Sequence, residues 1–271
     1  EVKSNPFDYT RKLDVIKNSI FGVDIQPIAV DVSRLRCFLT LVVESEIDDT
    51  KQNRGIEPLP NLDFKFVCAN TLIGLPKTEN KGLFDDHSGI IELSKIMSEY
   101  FSCNSQRKNE IKLKFTNTQK EIFGKTISSF GKNIGELTLK LTTWNPFSNT
   151  SNAWFDPEWM FGLEEKFDIV IANPPYIDSE TMVREQPELR AVYSKNYSTA
   201  KGNWDLYIPF FELGHNLLVV NGIASFITPN KWYAIGYGKE IRNKLLKEII
   251  RIANCNLVKV FEAGNSPVVT I

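Results

Sequence analysis

The hydrophobic run Phe167-Asp168-Ile169-Val170-Ile171-Ala172 breaks directly into Asn173-Pro174-Pro175-Tyr176, and this junction narrows the possible folds more than any other feature of the chain. Two consecutive prolines hold φ at about −65° and carry no amide proton. Each also disfavours helical backbone in the residue before it. The run therefore reads as a buried strand ending in a stiff loop, with the Pro174 carbonyl free to accept hydrogen bonds. The Asn173 side chain supplies a second acceptor, and Tyr176 places a flat ring beside both. Such a loop suits an exocyclic amine. An amine conjugated with an aromatic ring is a poor nucleophile, because its lone pair is delocalised. Acceptors at Asn173 Oδ1 and the Pro174 carbonyl would bind its two protons and favour a tetrahedral, attacking nitrogen. That is stabilisation by preorganised dipoles where charge develops, combined with positioning. It needs no metal and no covalent enzyme intermediate. Without that chemistry, Pro-Pro simply ends a strand.

The rest of the chain alternates strand and helix. Phe21-Gly22-Val23-Asp24-Ile25 reads as a short buried strand ending in an acid, and Pro27 suits the first turn of the next helix. Ile28, Val32, Leu35, Leu39 and Val42 then recur at helical spacing on one face. Phe64-Lys65-Phe66-Val67-Cys68-Ala69-Asn70 is a second strand. Residues 77–165 lack sheet patterning and read as a helical insertion. Ile90, Leu93, Met97 and Tyr100 mark one amphipathic helix there. A series from Ile111 to Leu137 marks a longer one, broken near Gly131 or Gly135. A loop rich in aromatics, from Trp144 through Trp154, Trp159 and Phe161, returns the chain to the sheet. Residues 178–202 are polar and without a clear period, as expected of a mobile segment over a site. Residues 206–220 read as helix and 222–229 as strand. Ile241, Leu245 and Ile249 mark another helix, and 257–261 and 267–271 are two final strands. This order predicts an α/β fold with an open, mainly parallel, Rossmann-like sheet whose strand ends carry the ligand loops.

A chain of 271 residues suffices for one large domain, and 42% hydrophobic with 24% charged residues is ordinary for a globular protein. Four scattered cysteines, Cys37, Cys68, Cys103 and Cys255, show neither metal-ligand spacing nor a disulfide framework, which points to a reducing, cytoplasmic setting. Only two histidines, His87 and His215, argue against a zinc site or a histidine triad. No apolar stretch is long enough to cross a bilayer, so no membrane partner is expected. The net charge of −1 excludes a chain that is basic throughout. Any phosphate contacts must come from a local patch or from sequence outside this chain. Arg107, Lys108, Lys112, Lys114, Lys120, Lys125, Lys132 and Lys140, opposed by Glu110, Glu121 and Glu136, form one such patch. A solvated helix face is the commoner meaning of such a run.

In order and spacing these segments resemble the catalytic domain of N6-adenine DNA methyltransferases from type II (type IIG-like) restriction–modification systems. The resemblance covers about Asn18 to Ile271. Asn-Pro-Pro-Tyr is shared with wider groups. Phe155-Asp156-Pro157-Glu158-Trp159-Met160-Phe161-Gly162-Leu163 and Ala200-Lys201-Gly202-Asn203-Trp204-Asp205-Leu206-Tyr207 are more particular to this family. The resemblance implies S-adenosyl-L-methionine as cofactor and double-stranded DNA as partner, with restriction or specificity modules elsewhere in the protein. It makes Asn173, Pro174 and Tyr176 catalytic. Asp24 would bind the cofactor ribose, Ile25 would pack on its adenine, and Asn70 would recognise that adenine's amino group. Many relatives carry Asp at the position of Asn70. Pro175 would line the methyl-donor pocket, and Phe210 would lie against the cofactor adenine. An adenine inside a duplex must be flipped out before its amine is reachable. Tyr176 would stack on one face of the flipped base and Phe261 on the other, since base–aromatic stacking is worth roughly 1–3 kcal/mol.

One departure stands out. The family places a glycine-rich strand–turn, Pro-x-x-Gly-x-Gly, ahead of the acidic strand, which cradles the methionine part of the cofactor. Here only residues 7–19, a predicted helix, precede Gly22. The expectation is a fragment that lacks the central strand and a DNA-reading domain, and that binds cofactor weakly by itself. Two rival readings share the amine-gripping loop. One is methylation of a protein glutamine or an RNA base amine. The other is a degenerate module that binds nucleic acid or a partner without chemistry.

Overall fold

The computed structural model describes residues 6–45, 47–56, 60–75, 88–130, 144–148, 150–163, 165–255 and 267–271. The chain divides into two compact units, Glu1–Glu164 and Glu165–Ile271. Both are built from helices and parallel strand pairs, so the α/β class read from the sequence holds. The strands form two sheets, one in each unit.

In the first unit, α1 (Pro6–Ser19) leads into β1 (Gly22–Asp24), α2 (Pro27–Val42) and β2 (Phe66–Cys68). β1 and β2 pair in parallel, with Gly22 opposite Phe66 and Asp24 opposite Cys68. Pro27 opens α2 where a missing amide proton costs nothing. Val30 and Leu41 of α2 join Ile16, Leu62, Phe66 and Phe101 in one core cluster. The apolar series read from the sequence lies on the other side of α2: Ile28, Val32, Leu35 and Leu39 are all exposed. The helix is apolar on both sides, and the spacing alone does not reveal which side meets the strands.

Two long helices follow, α3 (Ser88–Ser102) and α4 (Ser105–Phe130). They pack on each other through Leu93, Met97 and Tyr100 of α3 and Ile111 and Phe115 of α4, all buried. Phe64 gathers Tyr100, Phe115 and Phe147 around it at ring-centroid distances of 5.4, 4.8 and 5.5 Å. Tilted and edge-to-face pairs of this kind add to simple area burial. The aromatic-rich loop thus supplies core. The expected break near Gly131 or Gly135 lies outside the described residues.

The family-like segment 155–163 folds as a one-turn helix, α5 (Pro157–Phe161), with all its punctuation in place. Asp156 Oδ1 accepts from the Trp159 amide at 2.8 Å, Pro157 occupies the first turn, and Gly162 ends the helix at φ +69°. Burial pushes the Asp156 carboxyl above its ordinary range. A Cβ on Gly162 would stand 2.5 Å from Ser94 Oγ, so glycine is required there by both φ and space.

In the second unit, β3 (Phe167–Ala172) is followed by α6 (Ser179–Glu185), α7 (Pro187–Asn196) and α8 (Tyr207–Leu217). Then come β4 (Leu218–Pro229), α9 (Lys231–Ala234), α10 (Lys239–Leu245), β5 (Ile252–Asn254) and β6 (Pro267–Thr270). The sheet order is β3-β4-β6-β5. β3 and β4 are parallel, and the β4–β6 and β6–β5 pairs are antiparallel. β4 starts earlier than the strand read from Gly222. Asn221 takes a left-handed φ of +66°, and the β3–β4 register shifts across that point before regular pairing resumes at Ile223.

Two sequence expectations change here. Residues 178–202 are largely helical, so the description of a patternless, mobile segment does not fit. Asp178 caps α6 by accepting from the Thr181 amide at 2.8 Å, Pro187 opens α7, and Met182 and Tyr193 anchor the pair in the core. β5 was not anticipated, being three residues long with no alternation to display. Of the two final strands, 267–271 is present as β6, and 257–261 lies outside the described residues.

Candidate active site

Asn173-Pro174-Pro175-Tyr176 follows the last residue of β3, where the hydrophobic run predicted a strand end, but the strand is not the buried one expected: Ile169 and Ile171 are 61% and 78% exposed. Asn173 and Pro175 are exposed, Pro174 is buried and Tyr176 is half-buried. Among the described residues no hydrogen bond occupies the Asn173 side chain or the Pro174 carbonyl. Both acceptors the chemistry requires are therefore open.

The loop is fixed from its far side. The Tyr176 hydroxyl donates to the Ile227 carbonyl of β4 at 3.0 Å, and burial raises its pKa above the ordinary phenol value. The Tyr176 ring stands nearly perpendicular to that of Tyr207, with centroids 6.5 Å apart. Leu206 donates its amide to the Ile177 carbonyl at 2.8 Å, and the Ser179 amide donates to Asp205 Oδ1 at 3.1 Å. The segment 200–207 thus braces the residues just after the loop.

That segment is itself pinned. Gly202 turns the chain at φ +71°, and Arg190 of α7 donates to the Gly202 and Trp204 carbonyls at 2.8 and 3.0 Å. The same guanidinium lies 4.3 Å from the centre of the buried Trp204 ring, a cation–π contact. One turn further on, Phe211 is core, packed on Phe226 and Trp232. Its neighbour Phe210 is half-buried.

Behind the brace, Glu212 of α8 is buried among donors. Ser198 Oγ, Thr199 N, Thr199 Oγ1 and Lys244 Nζ reach it at 2.8, 2.9, 2.9 and 2.7 Å. Burial alone would raise its pKa, but these hydrogen bonds outweigh it and hold the carboxyl down at about 2.

The first unit carries a second cluster, at the ends of its two parallel strands. Asp24 is exposed at the end of β1, and its Oδ1 accepts the Gln26 amide at 2.8 Å. Ile25 beside it is 55% exposed. Asn70 lies just past β2, with its backbone N–H on the Asn152 carbonyl at 2.9 Å and its Oδ1 accepting from Leu72 N at 3.1 Å. These residues suit an adenosine group. Asp24 Oδ2 has lone pairs for ribose hydroxyls, Ile25 offers an apolar surface for a base, and strand carboxyl ends are where open α/β sheets bind such ligands. Phe261 lies outside the described residues.

The first four members of the basic run, on α4, have partners within the protein, and Lys132 and Lys140 lie outside the described residues. Arg107 pairs with Glu99 and Glu110, and Lys114 with Glu99. Lys108 and Lys112 lie over the rings of Tyr100 and Phe147, 5.5 and 4.6 Å from their centres. Among the described residues no helix is long and apolar enough to cross a membrane.

Residues 18–261 match the Eco57I restriction-modification methylase family, nine-tenths of the chain. The chain belongs to that family. Shorter stretches align with proteins from several bacteria. The type II restriction enzyme and methyltransferase RM.Eco57I of Escherichia coli is 28% identical over 99 residues, 35% of this chain and 10% of that protein. The type II methyltransferase M.BstVI of Geobacillus stearothermophilus is 38% identical over 77 residues, 28% of this chain and 13% of its own. M.PaeR7I of Pseudomonas aeruginosa is 36% identical over 81 residues, 30% and 14% of the two chains. The chain therefore matches only a small part of the length of the curated relatives it resembles.

Proposed function

We propose that this family member transfers a methyl group from S-adenosyl-L-methionine to N6 of an adenine in double-stranded DNA, as part of a restriction–modification system. The observation that carries this reading is the pair of open acceptors, Asn173 Oδ1 and the Pro174 carbonyl, on a turn whose other contacts are filled. The cofactor supplies an electrophilic methyl group. Asn173 Oδ1 and the Pro174 carbonyl accept hydrogen bonds from the two N–H bonds of the adenine amine, which draws its lone pair out of conjugation and aims it; the methylated nitrogen then sheds one proton to water and keeps the other. Pro175, exposed beside them, lines the donor pocket. The base is flipped from the duplex to reach this turn, and the Tyr176 ring, held by its hydroxyl, stacks on it. Phe261 is assigned the opposite face by resemblance.

Asp24 holds the cofactor ribose, Ile25 and Phe210 its adenine ring, and Asn70 its amino group, an assignment the exposure of Asp24 and Ile25 supports. Residues 77–165 are read as a helical insertion in the catalytic domain. Restriction or specificity functions are assigned to other parts of the protein, and the location to the cytoplasm.

The test uses the full-length protein in a host without adenine methylation of its own. Host DNA is digested and N6-methyladenine quantified by mass spectrometry, with Asn173→Ala as control. Methyladenine that disappears in the variant supports both the reaction and the residue. None from a well-expressed, cofactor-binding protein overturns the DNA substrate.

A further inference from the structure

We infer that Asp205 and Tyr237 are positioning residues that set the Asn173–Tyr176 turn, acting through a one-way hydrogen-bond chain. This rests on the reading of that turn as the methyl-transfer site.

Asp205 is buried and forms no direct ion pair among the described residues, although the Arg190 guanidinium interacts with it electrostatically. Its two oxygens instead serve two donors from opposite directions. Oδ1 takes the Ser179 amide at 3.1 Å and Oδ2 takes the Tyr237 hydroxyl at 2.8 Å. The Tyr237 oxygen lies 3.0 Å from that of Tyr207, a fully buried residue.

An ionised carboxylate can only accept, so the single Tyr237 proton points at Asp205. Tyr207 must then donate to Tyr237. The chain runs from Tyr207 through Tyr237 to Asp205, where it meets the Ser179 amide. Every member has a single allowed direction.

Both ends of this chain bear on the turn. Ser179 lies three residues past Tyr176, and the neighbouring Leu206 amide bonds the Ile177 carbonyl. The Tyr207 ring faces that of Tyr176. The chain thus fixes the backbone after the turn and the side of the aromatic ring within it. Gly202 at φ +71° and the Arg190 clamp on Trp204 deliver Asp205 to this point, which gives a physical reason for the composition of segment 200–207.

Asparagine at 205 is nearly isosteric but cannot replace the acid. Its amide nitrogen would face either the Ser179 N–H or the Tyr237 hydroxyl. Facing the hydroxyl turns the Tyr237 proton onto Tyr207 and leaves the proton of that fully buried phenol without an acceptor. The amide nitrogen therefore turns to the half-buried Ser179 amide, and that bond is the one lost. Phenylalanine at 237 removes the link to Tyr207 but leaves the Ser179 bond in place, so its effect is smaller.

The experiment compares wild type, Asp205→Asn and Tyr237→Phe in the full-length protein. Single-turnover methyl transfer to duplex DNA at saturating cofactor and DNA is read beside cofactor affinity and hydrogen exchange at the Ser179 amide. The expected result is a rate at least tenfold lower in Asp205→Asn and a few-fold lower in Tyr237→Phe, with cofactor affinity within twofold of wild type. Exchange at Ser179 rises in Asp205→Asn only. A general loss of fold would lower affinity and rate together and overturn the positioning role. An unchanged rate with unchanged exchange overturns the inference outright. If wild type transfers no methyl to DNA, the proposed substrate fails by itself. The exchange measurement then still decides whether Asp205 holds the turn.

Discussion

The turn at Asn173–Tyr176 and the strand ends at Asp24 and Asn70 are two candidate ligand surfaces built in opposite ways. The turn is braced on several sides: a phenol on a strand carbonyl, two backbone bonds to segment 200–207 and a ring against a ring. The Asp24 carboxylate accepts one local hydrogen bond, from the Gln26 amide, while its backbone carbonyl accepts from Ala69, and Ile25 is exposed. The difference follows from what each surface must do. An amine has to be distorted at the moment of reaction, so its acceptors cannot afford to reorganise. A ribose and a base need only be held, and an exposed acid with an apolar neighbour gains its remaining contacts from the ligand itself.

The largest effect expected from this contrast is at the braced surface. Asn173→Ala lowers the single-turnover rate roughly 10²–10³-fold, the scale of losing one preorganised polar contact to a developing charge. Cofactor affinity by calorimetry stays near wild type. A variant that loses affinity and keeps its rate would break the division of labour altogether.

Next is the scaffold behind the brace. Glu212 titrates at about 2 in the folded protein, below its ordinary 4.5. Its contribution is therefore fully present above pH 4.5 and lost as pH falls from there toward 2. The shift corresponds to roughly 3 kcal/mol. Glu212→Gln should lower urea-unfolding stability at neutral pH by about that amount and flatten the acid limb between those values. A steep acid limb surviving in the variant would place the sensitive carboxyl elsewhere.

At the open surface, Asp24→Ala removes charge-assisted hydrogen bonds worth about 2 kcal/mol, so cofactor affinity falls roughly thirtyfold. The rate at saturating cofactor changes little. A large fall in that saturated rate would mean the strand end does more than hold. The smallest effect sharpens the boundary of the brace. Asp178→Ala removes the α6 cap and lowers stability slightly in thermal or chemical unfolding. Methyl transfer should change less than twofold, because Asp205 still holds the Ser179 amide.

The sequence made some of this plain and hid the rest for physical reasons. A Pro-Pro pair after an apolar run can hardly be anything but a strand end, and an acid after Phe-Gly-Val needed only the next helix start to be placed. The α6–α7 region was opaque because its helices have 7 and 10 residues, too short for periodicity to accumulate. Their real signals were the cap residue Asp178 and the helix-opening Pro187. Asp205 was visible only as one letter of a family-like segment. Its role depends on Tyr237, far along the chain, and no local pattern links the two. Phe210 and Phe211 look alike in sequence, and only the packing of α8 against β4 and α9 separates them. On α2 the spacing was right and the inward side was not, because a helix apolar on both sides carries no label for its core.

One property of the braced turn decides how its motions can be watched. Positions 174 and 175 have no amide proton, so amide-detected spectra and deuterium uptake are silent there. Whatever the turn does when a base arrives must be followed through the Asn173 carboxamide, the Tyr176 ring or directly detected carbon. A flat exchange profile across these residues would therefore not be a sign of rigidity.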